Sequence, residues 1–186
     1  MTKKDILAIL KTALSLFIIC AVTAGIVAGV NALTAPTIEK NEIASANAAK
    51  SAVLSDAVQF EDIVLSDGST AYIGKSAGGE TVGYVFRSAS SGYGGKIEIM
   101  TGFNTDGYIT GVQILSIDET PGLGLNAKKD SFLNRFKETN SFLSVVKDSE
   151  AGENEILALT SATITSRAMV KAVNEARAYF DELSEK

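Results

Sequence analysis

Three observations predict an α+β fold behind one membrane-spanning helix. Thr12 to Leu33 is a run of 22 residues without a charge. From Val58 to Ile114, short apolar runs alternate with polar residues and are broken by turn signals. After Ser166, apolar residues recur at spacings of three and four. Strands followed by segregated helices define the α+β class, here an antiparallel sheet with a C-terminal helix.

The apolar run comes first. At about 1.5 Å per residue its helix would span roughly 33 Å, enough for a hydrocarbon core of about 30 Å. Lys3, Lys4 and Lys11 precede it, whereas Lys40 beyond it is offset by Glu39 and Glu42. The positive-inside bias puts the N-terminus in the cytoplasm and the remainder outside the inner membrane, as a single-pass protein in contact with lipid. A cleaved signal peptide is the alternative. It shares the basic start, and Val30-Asn31-Ala32 could serve as its cleavage site, but its apolar region is usually only about 7–15 residues. The expected organisation is residues 1–34 as cytoplasmic start and span, 35–57 as a juxtamembrane helix or stalk, and 58–186 as the extracytoplasmic domain.

Composition narrows the chemistry. The chain has no His, no Trp and one Cys, so catalytic residues and metal ligands are both expected to be absent. Three of the 17 basic and one of the 22 acidic residues precede Thr12, leaving the rest of the chain at −7. That balance argues against nucleic acid, which requires a basic surface.

The strands follow in order. Val58 to Glu61 and Ile63 to Leu65 lead to the Asp67-Gly68 turn, then come Ala71 to Ile73 and the buried-looking Thr81 to Phe86. Ile97, Ile99 and Gly111 to Ile114 alternate every second residue around the hairpin signal Thr105-Asp106-Gly107, as half-buried strands do. Ala127 to Lys137 reads as a helix with Phe132, Leu133 and Phe136 on one side. In the last helix Met169, Val173, Ala176, Phe180 and Leu183 form one stripe.

Three segments stand apart from this scaffold. Ser91-Gly92-Tyr93-Gly94-Gly95 is a glycine-rich loop that lets backbone approach a ligand, or a plain flexible hairpin. Asp118-Glu119-Thr120-Pro121-Gly122-Leu123-Gly124 contains a tight turn beside a carboxylate. It could grip the edge of a planar heterocycle, or simply connect strand to helix. In Leu159-Thr160-Ser161-Ala162-Thr163-Ile164-Thr165-Ser166, five of eight residues carry a hydroxyl at the start of the last helix. Helix capping by Thr160 or Ser161 accounts for one or two of them. A phosphate at the helix N-terminus would use more, and a Thr oxygen could become a phosphoester bridge.

Together and in this order, behind one span and a stalk, Gly92-Tyr93-Gly94-Gly95, Glu119 to Gly124 and Thr160 to Ser166 resemble the G subunit of the Rnf-type ion-translocating oxidoreductase complex. More broadly they resemble the FMN-binding domain shared with the C subunit of the sodium-pumping NADH:quinone reductase. The resemblance implies covalent FMN. The family's attachment motif is Asp, two variable residues, Ser or Thr, Gly, Ala and Thr, and the last Thr is esterified to the flavin phosphate. That position is Thr163, with Ala162 and Thr160 also matching. Ser161 replaces the glycine, harmlessly if its backbone is helical or extended, and Leu157 stands at the Asp position. A separate magnesium-dependent flavin transferase installs the group from FAD.

By the same resemblance, Glu119, Thr120, Pro121, Gly122, Leu123 and Gly124 would line the isoalloxazine and Tyr93, Gly94 and Gly95 would close a rim. Thr165 and Ser166 would solvate the phosphate. The complex would pass electrons between reduced ferredoxin and NAD and couple this to sodium or proton movement. This subunit would be one relay among membrane, iron–sulfur and flavin partners, and not catalytic alone. The competing expectation is an anchored scaffolding subunit with no flavin, which Leu157 and Ser161 support. A pilin-like plan lacks a processing site before the apolar helix.

Overall fold

Helix α1 runs from Lys3 to Val53, far beyond the apolar run, and continues through Pro36. Proline has no N–H to offer the carbonyl one turn earlier, that of Ala32. The computed structural model describes residues 3–147 and 151–184. The expected segments therefore include residues 1–2, 148–150 and 185–186, which lie outside the described residues. The chain divides into two compact units, Met1–Ala44 and Ser45–Lys186.

In the first unit the apolar side chains face outward. Phe17, Ile19, Val22, Ile26 and Val30 are each more than half exposed, on a helix long and apolar enough to cross a membrane. The hydroxyls of Ser15, Thr23 and Thr34 donate to the carbonyls of Lys11, Ile19 and Val30. Such back-bonding satisfies a polar group where no water is available.

The second unit is built on a five-stranded antiparallel meander. Its strands are β1 (Gln59–Val64), β2 (Thr70–Lys75), β3 (Thr81–Ser91), β4 (Lys96–Asn104) and β5 (Ile109–Ser116), neighbours in chain order. The expected antiparallel sheet is therefore present, with the two apolar runs before Asp67 merged into β1. The β4–β5 hairpin falls at the predicted turn, where Asn104 Oδ1 accepts the N–H groups of Asp106 and Tyr108.

Side-chain alternation gives the sheet two buried faces. On one, Phe86, Ile97, Ile99 and Phe103 pack under helix α3 (Thr163–Ser184), whose stripe of Met169, Val173, Ala176 and Phe180 is buried as the spacing predicts. On the other, Val85 and Met100 meet Ala49, Val53, Leu54 and Ala57. The final turns of α1 thus belong to the core of this unit. Thr110 Oγ1 donates to the carbonyl of Val53 at 2.5 Å, satisfying one of the acceptors a helix C-terminus leaves open. Lys50 Nζ sits 4.2 Å from the Tyr72 ring centroid, a cation–π contact at the same end.

The helix expected over 127–137 is broken into three pieces. A 3₁₀ turn at Gly124–Lys128 precedes α2 (Asp130–Leu133), which a second 3₁₀ turn at Asn134–Phe136 follows. Lys129 between the first two is extended (φ −74, ψ 139) and interrupts the helical ladder. Phe132, Leu133 and Phe136 are nevertheless buried together, because the pieces keep them on the core side. A small parallel pair, β6 (Ser144–Val146) with β7 (Glu155–Leu157), leads the chain into α3.

Candidate functional site

The segment ahead of α3 is held by a buried knot. Ala158 N–H closes the β6–β7 pair by donating to the carbonyl of Val146 at 2.8 Å. The chain then turns, and Ala162 N–H donates to the carbonyl of Leu159 at 3.0 Å. Ser166 Oγ, fully buried, accepts the Leu159 N–H at 2.9 Å and donates to the carbonyl of Ala162 at 3.0 Å. These bonds fix the turn that presents Thr163, the first residue of α3, half-buried beside exposed Ile164.

Inside this turn Ser161 has φ of +60°. The proviso attached to a serine at the glycine position is therefore not met: the backbone there is left-handed. A side chain in that conformation costs about 1–2 kcal/mol, and glycine avoids the cost while loosening the unfolded chain. Ser161→Gly is expected to stabilise the domain by about 1 kcal/mol, measured by urea denaturation followed by circular dichroism.

The other two segments meet this turn from the sheet. After β5, Glu119 is buried, and the carbonyl of Thr120 accepts the N–H groups of Leu123 and Leu125, both at 3.2 Å, around the Pro121-Gly122 apex. After β3, the Gly92 N–H donates to the Gly95 carbonyl at 2.7 Å and the Tyr93 N–H to Glu119 Oε1 at 2.7 Å. Three glycines, Gly92 among them, permit the approach. A Cβ on Gly94 would collide with the carbonyl of Asp118. One on Gly124 would stand 2.6 Å from both Glu119 Oε2 and Thr165 Oγ1.

A cavity of about 520 Å³ opens where the three segments converge. Tyr93 comes from the first, Glu119, Thr120, Leu123 and Gly124 from the second, and Ser161, Ala162, Thr163, Ile164 and Thr165 from the third. Gly94, Gly95, Pro121, Gly122, Thr160 and Ser166 shape these loops without lining the cavity. Sequence reasoning missed Ile164 as a lining residue, although an isoleucine amid hydroxyls at a helix start was its signal. It is 53% exposed and, with Tyr93 at 73% and Leu123 at 42%, gives the walls an apolar rim.

Glu119 is the single acid and no base lines the walls. An anion here would rely on the unpaired N–H groups and positive end of a 22-residue helix. A larger cavity of about 960 Å³ contains none of the three segments, being walled by Arg135, Lys137, Glu153 and neighbours. Leu157 lines that cavity, and Arg135 Nη1 donates to its carbonyl at 2.5 Å.

A glycine-built cavity at a helix N-terminus, in a chain that also carries an apolar helix long enough to cross a membrane, defines an anchored domain suited to an anionic ligand, and the comparisons supply the family. Residues 92–178 match the FMN-binding domain, and residues 1–53 match the RnfG N-terminal region. The chain belongs to the G-subunit family of Rnf-type ion-translocating oxidoreductase complexes. It is 37% identical over 163 residues to the G subunit of the proton-translocating ferredoxin:NAD(+) oxidoreductase complex of Clostridium ljungdahlii, covering 87% of this chain and 86% of that one. It is 37% identical over 196 residues to the G subunit of the Na(+)-translocating ferredoxin:NAD(+) oxidoreductase complex of Acetobacterium woodii, covering 95% and 93%. The fold is also that of NqrC from Shewanella oneidensis, with a TM-score of 0.54, 17% identity, and coverage of 70% and 73%. The resemblance carried by the three segments is thereby borne out.

Proposed function

We propose that this chain is a membrane-anchored electron relay carrying FMN esterified through its phosphate to Thr163 Oγ1. The observation that carries the reading is the convergence of Tyr93, of Glu119, Thr120, Leu123 and Gly124, and of Ser161 to Thr165 on one cavity with Thr163 in its wall. The cavity fits the group in size, since ligand sites run from about 300 to 1,000 Å³. It also fits in chemistry: an apolar rim for a planar ring and helix-end amides for a phosphate.

FMN, when bound, accepts one or two electrons and so links carriers of different type. The residues of this chain do the rest. Thr163 supplies the tether, and the first amides of α3 offset the phosphate charge. Thr165 lies buried behind it, with the Ser166 knot keeping the turn in place. Leu123, Ile164 and Tyr93 exclude water from the ring. A covalent tether prevents loss of the cofactor outside the cell. The basic residues ahead of the span put the N-terminus in the cytoplasm and the domain outside. Partner subunits of the complex, with iron–sulfur and flavin centres, would lie within electron-transfer reach and couple the transfer to sodium or proton movement.

Mass spectrometry of the chain coexpressed with a flavin transferase tests this. After denaturation, the peptide containing Thr163 is expected to retain a yellow, fluorescent FMN adduct. An unmodified peptide with flavin free in the supernatant would overturn the covalent assignment, whereas a colourless, correctly assembled subunit would favour the scaffolding alternative.

A further inference from the structure

We infer that Glu119 is the positioning residue of this site, holding the Gly92–Gly95 loop at the cavity mouth through the backbone of Tyr93. The inference rests on the flavin reading for its purpose but not for its geometry. Glu119 is the only buried ionisable side chain among the described residues, at 9% exposure. It joins none of the ion pairs found there. A carboxylate removed from water without a cation is costly unless hydrogen bonds replace the lost hydration. Its bond is the 2.7 Å contact from Tyr93 N–H, across 26 residues of sequence, of the stronger charge-assisted kind.

The surroundings are built around that carboxylate. A side chain on Gly92 would strike Glu119 Oε1, the oxygen that receives the Tyr93 N–H. The other oxygen, Oε2, faces Gly124 and stands with Thr165 Oγ1 about the same point. The group therefore sits at the junction of all three segments. The Tyr93 ring is 73% exposed, so packing does little to place it. The Gly92–Gly95 bond closes the loop on itself, and the backbone bond to Glu119 is the tie that joins it to the second segment and sets the position of the ring on the cavity rim.

The test uses the full-length chain in detergent, as wild type and as Glu119→Gln, Glu119→Asp and Glu119→Ala. Gln keeps an oxygen acceptor at the same reach, whereas Asp keeps the charge but withdraws the acceptor by one methylene. Without flavin, amide hydrogen exchange of the peptide containing Tyr93 is expected to be about tenfold faster in Asp and Ala, with Gln close to wild type. With flavin installed, Asp and Ala should fluoresce more brightly than wild type, because a loosened Tyr93 quenches the ring less, and Gln should not. Unchanged Tyr93 exchange in Asp and Ala would overturn the proposal. So would equal acceleration in every peptide of the sheet, the mark of general destabilisation. Should Ala fail to fold, the Asp and Gln pair decides. The exchange measurement needs no flavin, so an unmodified Thr163 would refute the relay reading while leaving this result to stand separately.

Discussion

Thr163→Val is expected to give a folded, membrane-inserted protein with no covalent flavin at all. Valine copies the shape of threonine and lacks the one atom that can form the ester. Thr163 is half-buried at the first position of α3, where both residues are tolerated, so the change in stability should stay under about 1 kcal/mol. The Ser166 knot that fixes the turn does not involve the Thr163 side chain. Flavin fluorescence in a denaturing gel, with circular dichroism as the folding control, reads both halves. Residual fluorescence in the variant would place the ester on another hydroxyl, with Ser161 and Thr165 nearest in sequence.

Phe103→Ala is expected to remove about 3–5 kcal/mol of stability, a large share of the roughly 5–15 kcal/mol typical of a whole protein. Phe103 is fully buried in β4. Its ring stacks on Phe180 of α3 with centroids 5.2 Å apart and meets Phe86 edge-on at 5.7 Å. Truncation would lose both aromatic pairs and leave a void where α3 is moored to the sheet. A helix that slips there also moves its own first turn, so flavin incorporation should fall in parallel. Urea denaturation measures the loss. A change below about 1 kcal/mol would mean that the core collapses to fill the space and that the aromatic cluster is not the mooring.

The parts of the fold legible in sequence were those written in local chemistry. Asp106-Gly107 announced its hairpin because turn residues act over four positions. The stripe from Met169 to Phe180 announced α3 because one face of a helix repeats through the window. The β6–β7 pair left no such trace: three-residue strands joined across a loop have no period to detect. The break at Lys129 was hidden because Phe132, Leu133 and Phe136 keep helical spacing even when the backbone between them does not. At the site, the hydroxyl cluster suggested a phosphate by itself, whereas the two loops looked ordinary alone and only the joint order of all three suggested a flavin. The left-handed Ser161 was illegible because serine rarely adopts that conformation. Ile164 passed as a helix residue, since exposure on a cavity rim is decided by the loops opposite.

The last turns of α1 carry a consequence for shedding of the domain from the membrane. Ala49 and Val53 help fill the sheet face beneath Val85 and Met100, yet they lie on the helix that bears the apolar span. A protease cutting before Ser45 would release a unit with its hydrophobic floor intact. Cleavage just after Val53 would instead remove Ala49 and Val53 from that floor, leaving Leu54 and Ala57, and deliver a stickier, more aggregation-prone sheet. Solubility of the liberated fragment is thus decided by a few residues that sequence alone assigns to the stalk.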